Sequence, residues 1–173
     1  VAALELGRRL GHPPSLAHAA WWSATLRQML REPQACRELA ELTMRIAHEQ
    51  GSKIFMMCPL LLGWTLFKTG RVSEGLQHMD EAISVKRQRV FRFYYDYELL
   101  VFVEALLEAG EPDRAQEVAE EALDFIKGSG NCLFEAEAMR LKAVCLTASD
   151  IGTGGEAEVW LLGAIDTAER QGA

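Results

Sequence analysis

The chain has 173 residues, 49% of them apolar and 25% charged, with a formal charge of −7. That balance suits one well-buried domain or a short array of repeats, and the negative charge argues against a general nucleic-acid or anionic-membrane surface, which needs clustered cations. No apolar run reaches the roughly 18 residues that span a bilayer; the greasiest, 54–64, is too short.

The chain starts at Val1 with no basic-then-apolar leader, so it reads as an excised or processed segment without a secretion signal. The four cysteines, Cys36, Cys58, Cys132 and Cys145, form no C-x-x-C pair. Buried thiols in a reducing cytoplasm are the expectation.

In chain order, residues 1–10 carry Ala3, Leu6 and Leu10 at helical spacing and read as the tail helix of a preceding repeat, broken by Gly11-His12-Pro13-Pro14. Ser15 can cap a helix over 15–30 whose buried face is Leu16, Ala19, Ala20, Ser23, Leu26 and Leu30. Pro33 opens a helix that stops at Gly51. Helices follow over 53–69, 73–89, 93–109, 112–127, 133–148 and 156–171, most of them closed by glycine. Pro59 kinks the 53–69 segment or moves its start to Cys58, and Ser149 to Gly155 form a glycine-rich linker. No period-two alternation with hairpin turns occurs, so no strands are assigned.

The stretch Gly70-Arg71-Val72-Ser73-Glu74-Gly75 opens an amphipathic helix, and it recurs as Gly110-Glu111-Pro112-Asp113-Arg114-Ala115 and Leu30-Arg31-Glu32-Pro33-Gln34-Ala35. The small residue after the turn falls at Ala35, Gly75, Ala115 and Ala157, a period of about forty. Ala82 and Ala122 fall at a second small position and are expected to be buried. A fixed period of this kind marks stacked units, each covering its neighbour's apolar face. The expected fold is all-α: about eight antiparallel helices in one helical-repeat domain over 1–173, the first twelve residues being a tail.

Leu62-Gly63, Gly75 and Ala82 occupy the large-small and small positions of a tetratricopeptide repeat, and the chain resembles a tetratricopeptide-like α-α superhelix with a longer period. The segments 11–19, 134–142 and 168–173 are also similar to the C-terminal repeats of large bacterial NTPase, cyclase or transcriptional-regulator signalling proteins. That resemblance implies a non-catalytic arm for regulation and protein–protein interaction. An alternative is a ligand-sensing module that holds a metabolite or peptide in a concave groove. The phosphate-binding glycine-lysine loop of such proteins is absent, because Gly152-Thr153-Gly154-Gly155 runs into no Lys-Ser/Thr ending.

The histidines His12, His18, His48 and His78 share no metal-ligand spacing, and no cofactor or metal is expected. The acidic pairs Asp80-Glu81 and Glu120-Glu121 recur at equivalent helix positions and read as a solvated face. Lys86-Arg87-Gln88-Arg89 with Arg92, Phe93, Tyr94, Tyr95 and Tyr97 reads as a helix C-terminus followed by packing aromatics. The family's groove-facing positions map onto Arg27, Gln28, Trp64, Lys68, Tyr97, Glu104, Glu108, Glu137 and Arg140, suiting a protein or peptide partner. In the last helix Trp160 and Leu162 replace residues that are mostly polar in earlier repeats, which marks a face for self-association, most simply a homodimer.

Overall fold

In a computed structural model of the protein, residues 2–51, 58–90, 92–149 and 154–172 are described. Among them run nine α-helices: α1 (Ala2–Leu10), α2 (Pro13–Met29), α3 (Pro33–Glu49), α4 (Cys58–Lys68), α5 (Val72–Arg87), α6 (Tyr95–Glu108), α7 (Pro112–Ser129), α8 (Glu135–Ala148) and α9 (Gly154–Gln171). The described residues include no strand. The expected helical start over 53–57 and residues 150–153 of the linker lie outside the described residues. The chain divides into two compact units, Val1–Val85 and Lys86–Ala173.

The repeat is written into the turns. After α2, Arg31 N–H donates to Gln28 O and Glu32 N–H to Arg27 O; after α4, Gly70 to Phe67 O and Arg71 to Leu66 O; after α6, Gly110 to Leu107 O and Glu111 to Leu106 O. These paired bonds satisfy carbonyls that a helix end leaves open, and they require a left-handed residue at the turn. That residue has φ of 60° at Arg31, 91° at Gly70 and 77° at Gly110. The next helix begins at once, with a proline in the first turn of α3 and α7.

In the first unit α2 packs on α1 and α3, and α3 on α4. His12, not Ser15, stands at the N-cap of α2, and Ser15 Oγ lies 2.9 Å from His12 Nδ1. The buried face of α2 is Ala17, Ala20, Trp21, Ala24, Thr25 and Gln28, while the expected core residues Leu26 and Leu30 are exposed. Small side chains let α2 approach α3 closely, and that contact outweighs the larger aliphatics in choosing the face. Between α4 and α5 the approach is closer still. A Cβ added at Gly75 would overlap Phe67 N and come within 2.7 Å of Gly63 O. Ala82 is only half-buried, since the tight contact of α5 is centred on Gly75, nearly two turns earlier.

In the second unit α6 is buried along Tyr95 to Val103 and at Ala105 and Leu106. It is covered by α7 and α8, and α9 packs on α8. Ala115, Ala119 and Ala122 are buried on α7, as the repeat register requires.

Candidate functional site

Four of the nine groove positions belong to the first unit. Trp64 is 1% exposed and Gln28 is buried, because α2 and α4 turn these side chains into the helix packing. The Arg27 guanidinium pairs with Glu32 in the turn after α2. Lys68 is half-buried, its Nζ 5.7 Å from the centre of the Phe67 ring. The expected aromatic centre at Trp64 is therefore packed interior.

The other five lie in the second unit, on α6 and α8, which pack against each other. Tyr97 is buried, with Phe134 and Tyr94 ring centres 5.7 and 6.4 Å away. Beyond it Glu104 and Glu108 follow at helical spacing along α6. On α8, Arg140 Nε and Nη2 donate to Glu137 Oε2 and Oε1 at 2.7 and 2.6 Å, and Nη2 lies 4.0 Å from Glu104. Those bonds to Glu137 hold the Arg140 pKa above its ordinary value. The α6–α8 face thus sets two carboxylates, Glu137 and Glu104, about one guanidinium, beside an aromatic edge formed by Tyr94 and Phe134.

A second charged group lies beneath, where α5 ends and α6 begins. Lys86 Nζ sits 2.5 Å from Glu98 Oε2 and donates to Phe93 O at 3.0 Å. Asp96, also buried, accepts from Tyr97 N–H and from Asn131 Nδ2 at 2.8 Å. Burial pushes the Glu98 carboxyl up to about 8 against the pull of Lys86, and lowers Lys86. No well-directed hydrogen bond reaches either Glu98 oxygen among the described residues. Sequence reasoning passed over Asp96 and Glu98 and read Lys86 only as a cation at a helix C-terminus. Their signal was two acids set in the otherwise apolar run Tyr95-Asp96-Tyr97-Glu98-Leu99-Leu100.

The basic-aromatic run is taken up internally. Arg87 forks onto Glu121, Tyr95 Oη donates to Glu121 at 2.5 Å, and Arg92 stands 5.3 and 5.2 Å from the Tyr95 and Phe125 ring centres. Glu120 pairs with Lys142. The second acidic pair is therefore not a merely solvated face. Burial raises the Glu121 carboxyl, but the bonds from Arg87 and Tyr95 outweigh it and leave it below its ordinary pKa.

Cys36, Cys58 and Cys145 are buried, whereas Cys132 is exposed, because it sits in the α7–α8 turn. Burial pushes Cys36 up to about 12 and Cys145 up to about 11, which makes both poor nucleophiles. No cluster of three metal-ligating side chains occurs among the described residues. No described helix is long and apolar enough to cross a membrane.

The first unit also carries two open grooves. One, of about 550 Å³, lies between α1 and α2 and is walled by Leu6, Leu10, Trp22 and Leu26. The other, of about 410 Å³, has Met44, Leu62 and Leu66 as its floor and the Arg37–Glu41 and Arg71–Glu74 pairs and His78 at its rim. On α9, Trp160 is half-buried against Ala143, Leu146 and Ala157, while Leu162 is exposed.

No protein-family model and no curated protein matches the chain. Among solved structures it is similar to a crystal structure of a Podosopora anserina protein named for kinesin light chain, with nearly identical TPR-like repeats. The TM-score is 0.63 at 15% identity, over 92% of this chain and 78% of that one. The fold is a tetratricopeptide-like α-α helical repeat. Identity at that level speaks for the fold alone.

Proposed function

We propose that the protein is a non-catalytic scaffold that binds a protein partner through the α6–α8 face. The observation that carries this reading is the placement of Arg140 between Glu137 and Glu104, with Glu108 beyond, on two adjacent helices. Two carboxylates, Glu104 and Glu137, against the one guanidinium of Arg140 tilt this part of the face toward negative charge, so it suits an extended peptide with basic side chains, steered by charge. The half-buried edge of Phe134 offers an apolar contact beside them. The likeness of segments 11–19, 134–142 and 168–173 to bacterial signalling proteins supports placing this scaffold as a cytoplasmic regulatory arm of a larger protein of that kind.

A second reading is favoured by the groove among α3, α4 and α5. Its volume of about 410 Å³ is within the small-molecule range and its rim is charged, as a metabolite-sensing module would need. Phage-displayed random peptides selected on the purified protein, beside thermal-shift screening of a metabolite library, separate the two. Enrichment of basic peptides whose binding is lost in Glu104→Lys with Glu137→Lys supports the scaffold. Peptides without charge preference, or a metabolite shift abolished by Arg71→Ala, overturn it.

A further inference from the structure

The two aromatic residues at the edge of the α6–α8 face each open a helix. Tyr94 is the N-cap of α6 and Phe134 the N-cap of α8, and their ring centres lie 6.2 Å apart. One buried group of charges holds both helix starts. Lys86 Nζ donates to Phe93 O at 3.0 Å, which fastens the residue before Tyr94 to the end of α5. Asp96 accepts from Tyr97 N–H through one oxygen and from Asn131 Nδ2 through the other. Asn131 Oδ1 in turn accepts from Leu133 N–H at 3.4 Å, next to Phe134. Tyr94 holds φ at 55°, a left-handed conformation that costs free energy in a residue with a side chain. It persists only while its surroundings fasten it.

Glu98 belongs to the same group, 1% exposed and with Lys86 Nζ 2.5 Å away. Asp96 bears on it as a like charge, and Arg89 bears on Lys86. On the helices packed against α6 the charges face other partners. From α7 Glu121 faces Arg87 and Tyr95; from α8 Lys142 faces Glu120 and Arg140 faces Glu137. With Glu98 protonated, Asp96 and Lys86 balance. Without that proton two buried carboxylates share one ammonium, and the group carries a net negative charge that a buried site disfavours. The ammonium is then drawn toward Glu98 and off Phe93 O, while Asp96 is repelled by its neighbour. We propose that Lys86, Glu98 and Asp96 form a proton-dependent latch on the α6–α8 face, closed while Glu98 is protonated and released when it is not. Release frees Tyr94 and Phe134 and weakens the hold on a bound peptide. That regulatory step rests on the α6–α8 reading, whereas the latch itself stands without it. Burial places the Glu98 transition at about 8, while burial and Asp96 hold the Tyr94 hydroxyl above its ordinary 10. Residues 86–173 contain no histidine to titrate in its place.

The test follows the ring signals of Tyr94 and Phe134 and the side-chain carboxyl carbon of Glu98 by NMR, from mildly acidic to mildly alkaline pH. All three should move with one midpoint, at about 8. Glu98→Gln should flatten both ring titrations. Cys132→Ser, which removes the exposed thiol of the α7–α8 turn, should leave them in place. Asn131→Ala should detach Phe134 from the titration while Tyr94 still follows it; Asn131 is exposed, so the fold should survive the change. An arginine-rich peptide should bind wild type about threefold or more weakly on the alkaline side, and Glu98→Gln equally on both sides. A new negative charge alone would tighten that peptide, so weakening isolates the latch. Rings that ignore pH overturn the proposal, as do rings that titrate unchanged in Glu98→Gln or cease to titrate in Cys132→Ser. A peptide bound by wild type equally well across the range overturns it too. Titrating rings beside a peptide that never binds uphold the latch and overturn only the α6–α8 reading.

Discussion

The two units use one repeat and hold their helices by different physics. Val1–Val85 has nine basic and eight acidic residues, a formal charge of +1; Lys86–Ala173 has nine basic and seventeen acidic, a formal charge of −8. In the first unit the decisive contacts are steric, with Gly75 against Gly63 and Phe67 and alanines lining α2. In the second, charged side chains cross between elements: Lys86 to Glu98, Arg87 to Glu121, Lys142 to Glu120. Steric fit answers to volume, whereas buried charge answers to its partner and to pH. The units should therefore fail under different perturbations.

The largest effect belongs to the buried pair. Above about pH 8, where the Glu98 carboxyl is charged, Lys86→Ala leaves it buried beside Asp96 without its cation, and removing one partner of a buried pair costs roughly 3–5 kcal/mol. Lys86→Met with Glu98→Met should recover most of that loss, since an apolar pair of similar volume needs no solvation. Urea unfolding of the three proteins checks both. A single variant no less stable than the double would show that the charges are not what holds Lys86 against α6.

The matching experiment in the first unit is Gly75→Ala. The added methyl has no free space against backbone atoms of α4, and overpacking of this kind costs roughly 1–3 kcal/mol. Its cost should not vary with pH or salt, unlike that of the pair. Wild-type stability in this variant would mean that α4 and α5 lie farther apart than described.

Acidity sharpens the contrast. Glu98 in the folded chain is pushed up to about 8 from an ordinary 4.5. The folded state then holds a proton that the unfolded state releases between those values. This contribution is complete below 4.5 and is lost as pH rises through about 8. Lowered Lys86 acts in the opposite sense, toward its ordinary 10.5. Melting temperatures of wild type and Glu98→Gln, compared from mildly acidic to mildly alkaline pH, should show wild type losing ground as the pH rises. Parallel curves would remove Glu98 as the titrating group.

Much of the fold was legible because it rests on periodicity. The small residues at Gly75, Ala115 and Ala157 and the turn glycines Gly70 and Gly110 impose backbone geometry wherever they stand, so they can be read without the structure. The face of α2 was not legible in the same way. Ala17, Ala20 and Ala24 compete there with Leu26 and Leu30, and only the nearness of α3 decides between them. The same limit applies to the groove. Helical register can bring Tyr97, Glu104 and Arg140 to one side, but the packing around α6 decides that Tyr97 is enclosed while Arg140 reaches solvent. Lys86 and Glu98 lie twelve positions apart across a turn, where no periodic signal links them.

The smallest prediction returns to the turns, where the first unit departs from the repeat. Gly70 and Gly110 take the left-handed conformation without penalty, but Arg31 holds φ 60° at the corresponding place after α2. A side chain there meets the following backbone, which costs on the order of 1–2 kcal/mol in an L-residue. Glycine removes that strain, although it also gives the unfolded chain more freedom, and the two effects partly cancel. Arg31→Gly should therefore stabilise the protein by up to about 1 kcal/mol. Both bonds of the turn use backbone N–H and C=O groups, so they survive the substitution. The gain is a steric one, so chemical-denaturant midpoints should rise by the same amount at low and high salt. If the gain vanished in salt, the Arg31 charge would be the cause, and the strain would not.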